Sequence, residues 1–233
     1  MARKLIENCI PDHIWIWYKH KRFEQIVKNS LRDDQTEYAI IKSLLHKNSL
    51  ALDIGSNIGV YSAIMAPYCK KVYAIEPILE TYCGLLHIIK KMKYENIVPI
   101  HSAVSKDNGF VNMVIPVNSK GVKMFYRSHI SDSDKSQSNT PQEVISIKLD
   151  DFFLSYAQEI AFIKCDIEGH ELFCLQGAVK IVNSCSCAWL IEINDHSEDK
   201  DSNIKKIFSF FLTAGYKPWI LNNKKLHMRK KGE

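Results

Sequence analysis

The sequence predicts an α/β fold: a doubly wound, mainly parallel sheet, with a helical extension before it and an antiparallel hairpin at its end. Three observations predict it. Short apolar runs of buried-strand type alternate with segments whose apolar residues recur at threes and fours. The sharpest turn signal, Gly55-Ser-Asn-Ile-Gly59, joins one such run to a helical pattern. Residues 1 to about 47 carry helical periodicity and no strand signal.

In chain order, the extension (1–47) is expected to pack over the sheet, and residues 48–233 to form the core of one domain. The strands are Ala51-Leu-Asp-Ile, Lys71-Val-Tyr-Ala-Ile, Ile97-Val-Pro-Ile, Ile160-Ala-Phe-Ile and Ala188-Trp-Leu-Ile-Glu-Ile. Between them, Leu79, Tyr82, Leu85, Leu86, Ile89 and Met92 mark one helix face. Leu172, Leu175, Val179 and Val182 mark a second, and Ile204, Ile207, Phe208 and Phe211 a third. Phe110 to Ile115 and Val144 to Leu149 read as extra strands. They flank the polar stretch Ser128 to Gln142, which is too polar to bury anything and is expected to be a mobile surface loop. Lys217 to Leu221, a turn at Asn222-Asn223, and Lys224 to Met228 read as the closing hairpin.

Composition narrows the function classes. The 233 residues are 46% hydrophobic and 24% charged, the proportions of a globular chain with a core. The net charge of +5 is unevenly placed. The first 23 residues carry +3 and the last ten +4, leaving −2 for the remaining two hundred. Basic ends on a near-neutral body argue against a face built for polyanions. No apolar run reaches the roughly 18 residues of a membrane helix, and Glu7, Pro11, Asp12 and His13 interrupt any secretory leader. Seven cysteines, an odd number without a C-x-x-C pair, suggest neither disulfides nor a zinc knuckle. Cys185 and Cys187 are read as small buried thiols, and a reducing cytoplasm is expected.

The first strand ends in Asp53 and meets Gly55, Ser56, Asn57 and Gly59. Two glycines allow a ligand to approach backbone, and Ser56 or Asn57 is placed to cap the following helix. An ordinary strand-to-helix turn also favours these residues. Two acids separate the readings. Glu76 ends the second strand, where such folds use a carboxylate to accept hydrogen bonds from ribose hydroxyls. The spacing G-x-x-x-G is not that of a pyrophosphate cradle, and Asp53 at the turn would repel phosphate. A ligand with an ammonium, a sulfonium, a ribose and no phosphate fits instead. S-adenosylmethionine has all of these, and a nicotinamide dehydrogenase is disfavoured.

D-I-G-S-N-I-G-V-Y-S from Asp53, V-Y-A-I-E-P from Val72, S-I-K-L-D-D-F-F from Ser146, I-K-C-D-I-E-G-H-E-L-F-C-L-Q-G-A from Ile163 and L-I-E-I from Leu190 resemble, in order, the FkbM-type methyltransferases. The resemblance covers residues 36 to 195, and D-x-E-G-x-E is its most specific part. It implies a Rossmann-like sheet of class I methyltransferase type and S-adenosylmethionine-dependent O-methylation, mostly of hydroxyls on sugars and natural products. Carried over by position, Asp53, Gly55, Asn57 and Gly59 would line the methionine part of the cofactor and Glu76 its ribose. Ser102 and Ala103 would face the adenine through backbone groups. Tyr61 is read either as packing against the cofactor or as a core aromatic.

Lys164-Cys-Asp166-Ile-Glu168-Gly-His170-Glu171 places a cluster of ionisable groups at the edge where open α/β sheets bind ligands. Asp166 is expected to face the transferred methyl. Glu168 and Glu171, three apart, both point into one small pocket only if the turn is tight. An alcohol acceptor needs a general base, and Asp166 and Glu168 are the first choices, with His196 next and His170 also considered. For each histidine an exposed loop position is the plainer reading. Asp166, Glu192, Asn194 and Asp195 could gather oxygen ligands for Mg²⁺, but nothing in the spacing requires it and no metal is expected.

Ile14-Trp-Ile-Trp-Tyr18 beside Lys19, His20, Lys21 and Arg22 admits a sugar-stacking or membrane-surface contact. The plainer reading is a helix with its Trp packed on the sheet. The expected partner is a small-molecule or glycan acceptor, with nucleic acid disfavoured. An RNA methyltransferase gripping phosphates with its basic ends, and a non-catalytic Rossmann-like binding protein, are the alternatives.

Overall fold

The computed structural model describes residues 12–33, 36–116, 129–130, 142–193, 200–222 and 225–228. Its strands are β1 (Leu50–Ile54), β2 (Lys71–Ile75), β3 (Ile97–Ile100), β4 (Ala103–Val104), β5 (Gly109–Val114), β6 (His129–Ile130), β7 (Gln142–Ile147), β8 (Ile160–Cys165), β9 (Ala188–Ile191), β10 (Trp219–Asn222) and β11 (Lys225–Met228). The helices are α1 (Asp12–Arg32), α2 (Thr36–Leu44), α3 (Val60–Met65), α4 (Leu79–Met92), α5 (Leu149–Phe153), α6 (Glu171–Gln176), α7 (Val179–Ser184) and α8 (Lys200–Thr213).

The five predicted apolar runs form one sheet in the order β3-β2-β1-β8-β9, all parallel. Every residue of central β1 is buried, which a strand covered on both faces requires. Alternate residues feed two cores. Leu50, Leu52 and Ile54 pack with Ile163, Leu175 and Ile181 on one side; Ala51 packs with Ile64, Leu85 and Phe162 on the other. This is the doubly wound α/β architecture.

A second sheet, β4-β7-β5-β6, stands beside the first. It uses both extra strands expected from the sequence, β5 pairing antiparallel with β7. The polar stretch 128–142 is described only at residues 129–130, which add β6 to β5, and at 142; the rest of it lies outside the described residues.

The extension forms α1 and α2 and packs on α3 and α4. Val27 joins Ile58, Ala63 and Ile88, while Tyr38, Ile41 and Leu45 join Ile64 and Leu85. Gly84 lets α1 approach α4, since a Cβ there would lie 2.8 Å from the Phe23 ring. Trp17 departs from expectation: it is 59% exposed, with Ile14, Ile16 and Tyr18 also exposed, because α1 meets the core through its later turns.

The helix face expected at Leu172, Leu175, Val179 and Val182 is divided between α6 and α7. Gly177 lies at the break, close enough to the Ser105 carbonyl that a Cβ would come within 2.2 Å of its oxygen. The Asp150 carboxylate accepts from the Lys180 and Ile181 amides at 3.0 Å and so starts α7 afresh. β10 and β11 form the expected hairpin as a separate two-stranded sheet, with Asn222 paired to Lys225 and so inside the strand. Cys185 and Cys187 are buried as read. Among the described residues no helix is long and apolar enough to cross a membrane.

Candidate active site

A cavity of about 280 Å³ opens at the carboxyl ends of β1, β2 and β8. That is the edge the strand order predicts, and the volume is near the lower end of the roughly 300–1,000 Å³ of small-molecule pockets. Gly55 and Asn57 form its floor. Both are left-handed, with φ of 76° and 51°, and Asn tolerates this better than other side chains. Gly55 has no alternative: a Cβ there would fall 1.8 Å from the Asp166 carbonyl oxygen. The turn is stitched to the second strand, with the Gly55 and Ser56 amides both donating to the Ile75 carbonyl at 2.9 and 3.0 Å. Neither Ser56 nor Asn57 caps α3. Gly59 occupies that position without a side-chain bond, and the Ser56 hydroxyl is buried without a partner among the described residues.

Glu76 lines the cavity and braces it. Its Oε2 accepts from the Asn57 amide at 2.8 Å; its Oε1 accepts from the Ile78 amide at 2.9 Å and the Thr81 hydroxyl at 2.8 Å. Burial pushes this carboxyl up, and the three hydrogen bonds pull against that shift. A carboxylate offers about four acceptor places, so one remains on Oε2 for a ligand hydroxyl, rather than two. Ser102 and Ala103 also line the cavity. The single proton of the Ser102 hydroxyl is shared between the Ile145 carbonyl at 2.9 Å and the Ala103 carbonyl at 3.0 Å.

Two expected cofactor residues stand outside the lining. Asp53 is buried behind the floor, where its Oδ2 accepts from the Ser62 hydroxyl at 2.5 Å and its Oδ1 has no partner among the described residues. Burial raises its carboxyl, opposed first by the charge of Lys164 and then by Ser62. Gly59 faces α4, since its Cβ would lie 2.5 Å from a Leu85 methyl. Its smallness serves helix packing.

The opposite wall carries Asp166, Glu168 and Glu192. The Asp166 amide donates to the Ile54 carbonyl at 3.0 Å, and its Oδ2 accepts from the Lys164 ammonium at 2.9 Å. Glu168 adopts φ 52°, an unfavourable conformation for a side chain of its size, next to Gly169 at φ 96°. Glu171 turns away into the interior, accepts from the Gly169 amide at 3.0 Å, and burial pushes its carboxyl up to about 7. The left-handed backbone at Glu168 and Gly169 thus sends the two glutamates to different sides. His170 is buried elsewhere, its Nε2 3.0 Å from the Ser105 hydroxyl and its ring stacked on Phe173. His196, Asn194 and Asp195 lie outside the described residues. Among the described residues no cluster of His, Cys, Asp and Glu is arranged to hold a metal ion.

Sequence reasoning missed the apolar shelf of Ile78, Met113 and Ile130, the last two supplied by the second sheet. The alternation in β5 marked a buried face but not what it faces. It also gave no role to Lys164, although a lysine inside the apolar run Ile160 to Cys165 is a legible anomaly.

S-adenosylmethionine fits this donor set. The left-handed floor leaves room for close backbone approach, Glu76 keeps one acceptor place for a ribose hydroxyl, and the apolar shelf suits a purine. Three carboxylates suit a sulfonium and an ammonium, and no lysine or arginine lines the cavity among the described residues.

Residues 53–218 match the model of the methyltransferase FkbM domain. Among solved structures, the methyltransferase FkbM from Methylobacillus flagellatus KT is 15% identical, with a TM-score of 0.49. The match covers 72% of this chain and 37% of that one, so the chain spans little more than a third of that protein's length. An rRNA methylase from Streptococcus thermophilus is 14% identical over 74% of this chain and 76% of its own, with a TM-score of 0.45. Aeropyrum pernix fibrillarin, in complex with natively bound S-adenosyl-L-methionine, is 10% identical over 76% and 60%, with a TM-score of 0.43. No curated protein matches the chain.

Proposed function

This chain belongs to the FkbM methyltransferase family, and on that premise we propose that it moves a methyl group from S-adenosylmethionine to a hydroxyl of a sugar, glycan or small natural product. One observation carries the choice of acceptor: the cavity is lined by Glu76, Asp166, Glu168 and Glu192 with no basic side chain among the described residues. Such a lining favours a cationic cofactor and a neutral hydroxyl, and repels the phosphates that an RNA acceptor must bring.

The bound cofactor supplies an electrophilic methyl on a sulfonium. Gly55 and Asn57 support its methionine part through backbone, Glu76 accepts from one ribose hydroxyl, and Ser102 and Ala103 border the adenine together with Ile78, Met113 and Ile130. The apolar shelf excludes water from that side of the cavity. Asp166, on the cavity wall, would face the sulfonium. Methyl transfer is an in-line displacement, so holding the acceptor oxygen close and aligned supplies most of the acceleration. Glu168, held in a strained conformation at the mouth of α6, is the first choice to take the acceptor proton, with Asp166 second and His196 a further candidate. Asp53 acts from behind the floor, fixing Ser62 and balancing Lys164.

The test is incubation with S-adenosylmethionine and a panel of nucleotide-sugars, glycans and RNA, read by mass spectrometry. A one-methylene mass gain on a hydroxyl-bearing sugar or natural product is expected. A gain confined to RNA would contradict the acceptor assignment.

A further inference from the structure

Lys164 is the least expected residue beside the cavity. It stands in β8 directly opposite Asp53 of β1, with its side chain 3% exposed. A lysine so deeply buried needs partners: a carboxylate and a ring touch its ammonium, and a second carboxylate acts on it without an ion pair. Asp166 Oδ2 lies at 2.9 Å, Asp53 acts on it through its charge, and the Tyr61 ring centre lies 4.4 Å away, face to cation. Tyr61 is itself tethered. Its hydroxyl donates to Glu37 Oε1 at 2.5 Å, and Tyr38 packs edge-on at 5.7 Å between ring centres. Burial and the adjacent Glu37 carboxylate push the Tyr61 phenol far above its ordinary value, so it remains a donor. Donating to a carboxylate also enriches the ring electronically, which strengthens its hold on the ammonium. Glu37 and Tyr38 belong to α2, outside the family match of 53–218.

We propose that Glu37, Tyr61 and Lys164 form a positioning relay that holds Asp166 toward the sulfonium, so that the N-terminal extension completes the site. This rests on the methyl-transfer reading above. Asp166 has one oxygen on Lys164 and makes no hydrogen bond through the other among the described residues, while its side chain borders the cavity. The ammonium therefore selects which oxygen faces the ligand. The ring of Tyr61 keeps that ammonium from swinging toward Asp53 alone. The relay acts through Asp166, and its members touch no ligand.

The experiment is calorimetry of the full chain with S-adenosylmethionine and, separately, with S-adenosylhomocysteine, which lacks the sulfonium charge. Glu37→Gln and Tyr61→Phe are measured alone and combined with Asp166→Asn, and circular dichroism checks the fold. Lys164→Arg serves as the conservative variant. Each single tether variant is expected to weaken S-adenosylmethionine binding roughly 3- to 10-fold, the scale of one hydrogen bond to a charged group, and to leave S-adenosylhomocysteine within about twofold. In the Asp166→Asn background the same changes should have almost no effect, because the residue being positioned is gone. Lys164→Arg should retain part of the preference for the sulfonium. Equal weakening of both ligands, or the same effect with and without Asp166, would overturn the relay while leaving the methyltransferase reading standing. Failure of the folded wild-type chain to bind either ligand would remove the reading and the relay together.

Discussion

Glu168 and Glu171 show how a left-handed turn assigns opposite tasks to one side-chain type. Glu168 sits at φ 52° on the cavity wall, and Glu171 starts α6 in the interior. A left-handed glutamate costs on the order of 1–3 kcal/mol and persists only where its surroundings hold it. Glu168→Gly should therefore raise stability by about 1 kcal/mol in urea unfolding and lower turnover at least tenfold. A loss of stability would mean the conformation is not strained. The sequence offered Glu76 as a residue for a ribose, and the structure places it on the cavity wall. Its second task, bracing the floor turn to α4, was not legible, because its partners Asn57 and Thr81 lie 19 and 5 residues away and meet it only once the sheet forms. The same holds for Asp53, whose place behind the floor follows from its pairing with Lys164 across the β1–β8 ladder.

At the scale of elements, periodicity located strands well and breaks poorly. β2 and β3 match the runs Lys71–Ile75 and Ile97–Ile100 end to end. The break between α6 and α7 is not written locally. It comes from Gly177 meeting the Ser105 backbone and from Asp150, some thirty residues earlier, capping the Lys180 and Ile181 amides. Asp150→Ala should cost about 1–2 kcal/mol in urea unfolding, the range for loss of an N-terminal cap, with the floor turn and cofactor binding unchanged. A cost below a few tenths would show that α7 is held by packing alone.

Across the whole molecule, charge and function divide. The chain carries +5, yet among the described residues the cavity is lined by four acids and by no lysine or arginine. Buried acids also govern how stability varies with pH. Glu171 keeps its proton to about pH 7 in the folded chain, whereas an unfolded glutamate releases it near pH 4.3. Between those values the folded state binds the extra proton, so stability falls as pH rises through the window and stays lower above it. Glu171→Gln should flatten that decline, leaving the variant more stable than wild type by roughly 1–3 kcal/mol above pH 7 and indistinguishable near pH 4. Unfolding by urea at a series of pH values measures it, and parallel curves would remove Glu171 as the cause.

The central claim is that this acidic cavity, built on a left-handed floor and the Glu76 brace, receives S-adenosylmethionine. Its most direct measurement is the calorimetric affinity of the wild-type chain for S-adenosylmethionine, repeated on Glu76→Ala. Wild type should bind in the micromolar range, about −8 kcal/mol, with Glu76→Ala at least tenfold weaker. Absence of binding by folded wild-type protein, or undiminished binding by a folded Glu76→Ala, would contradict it.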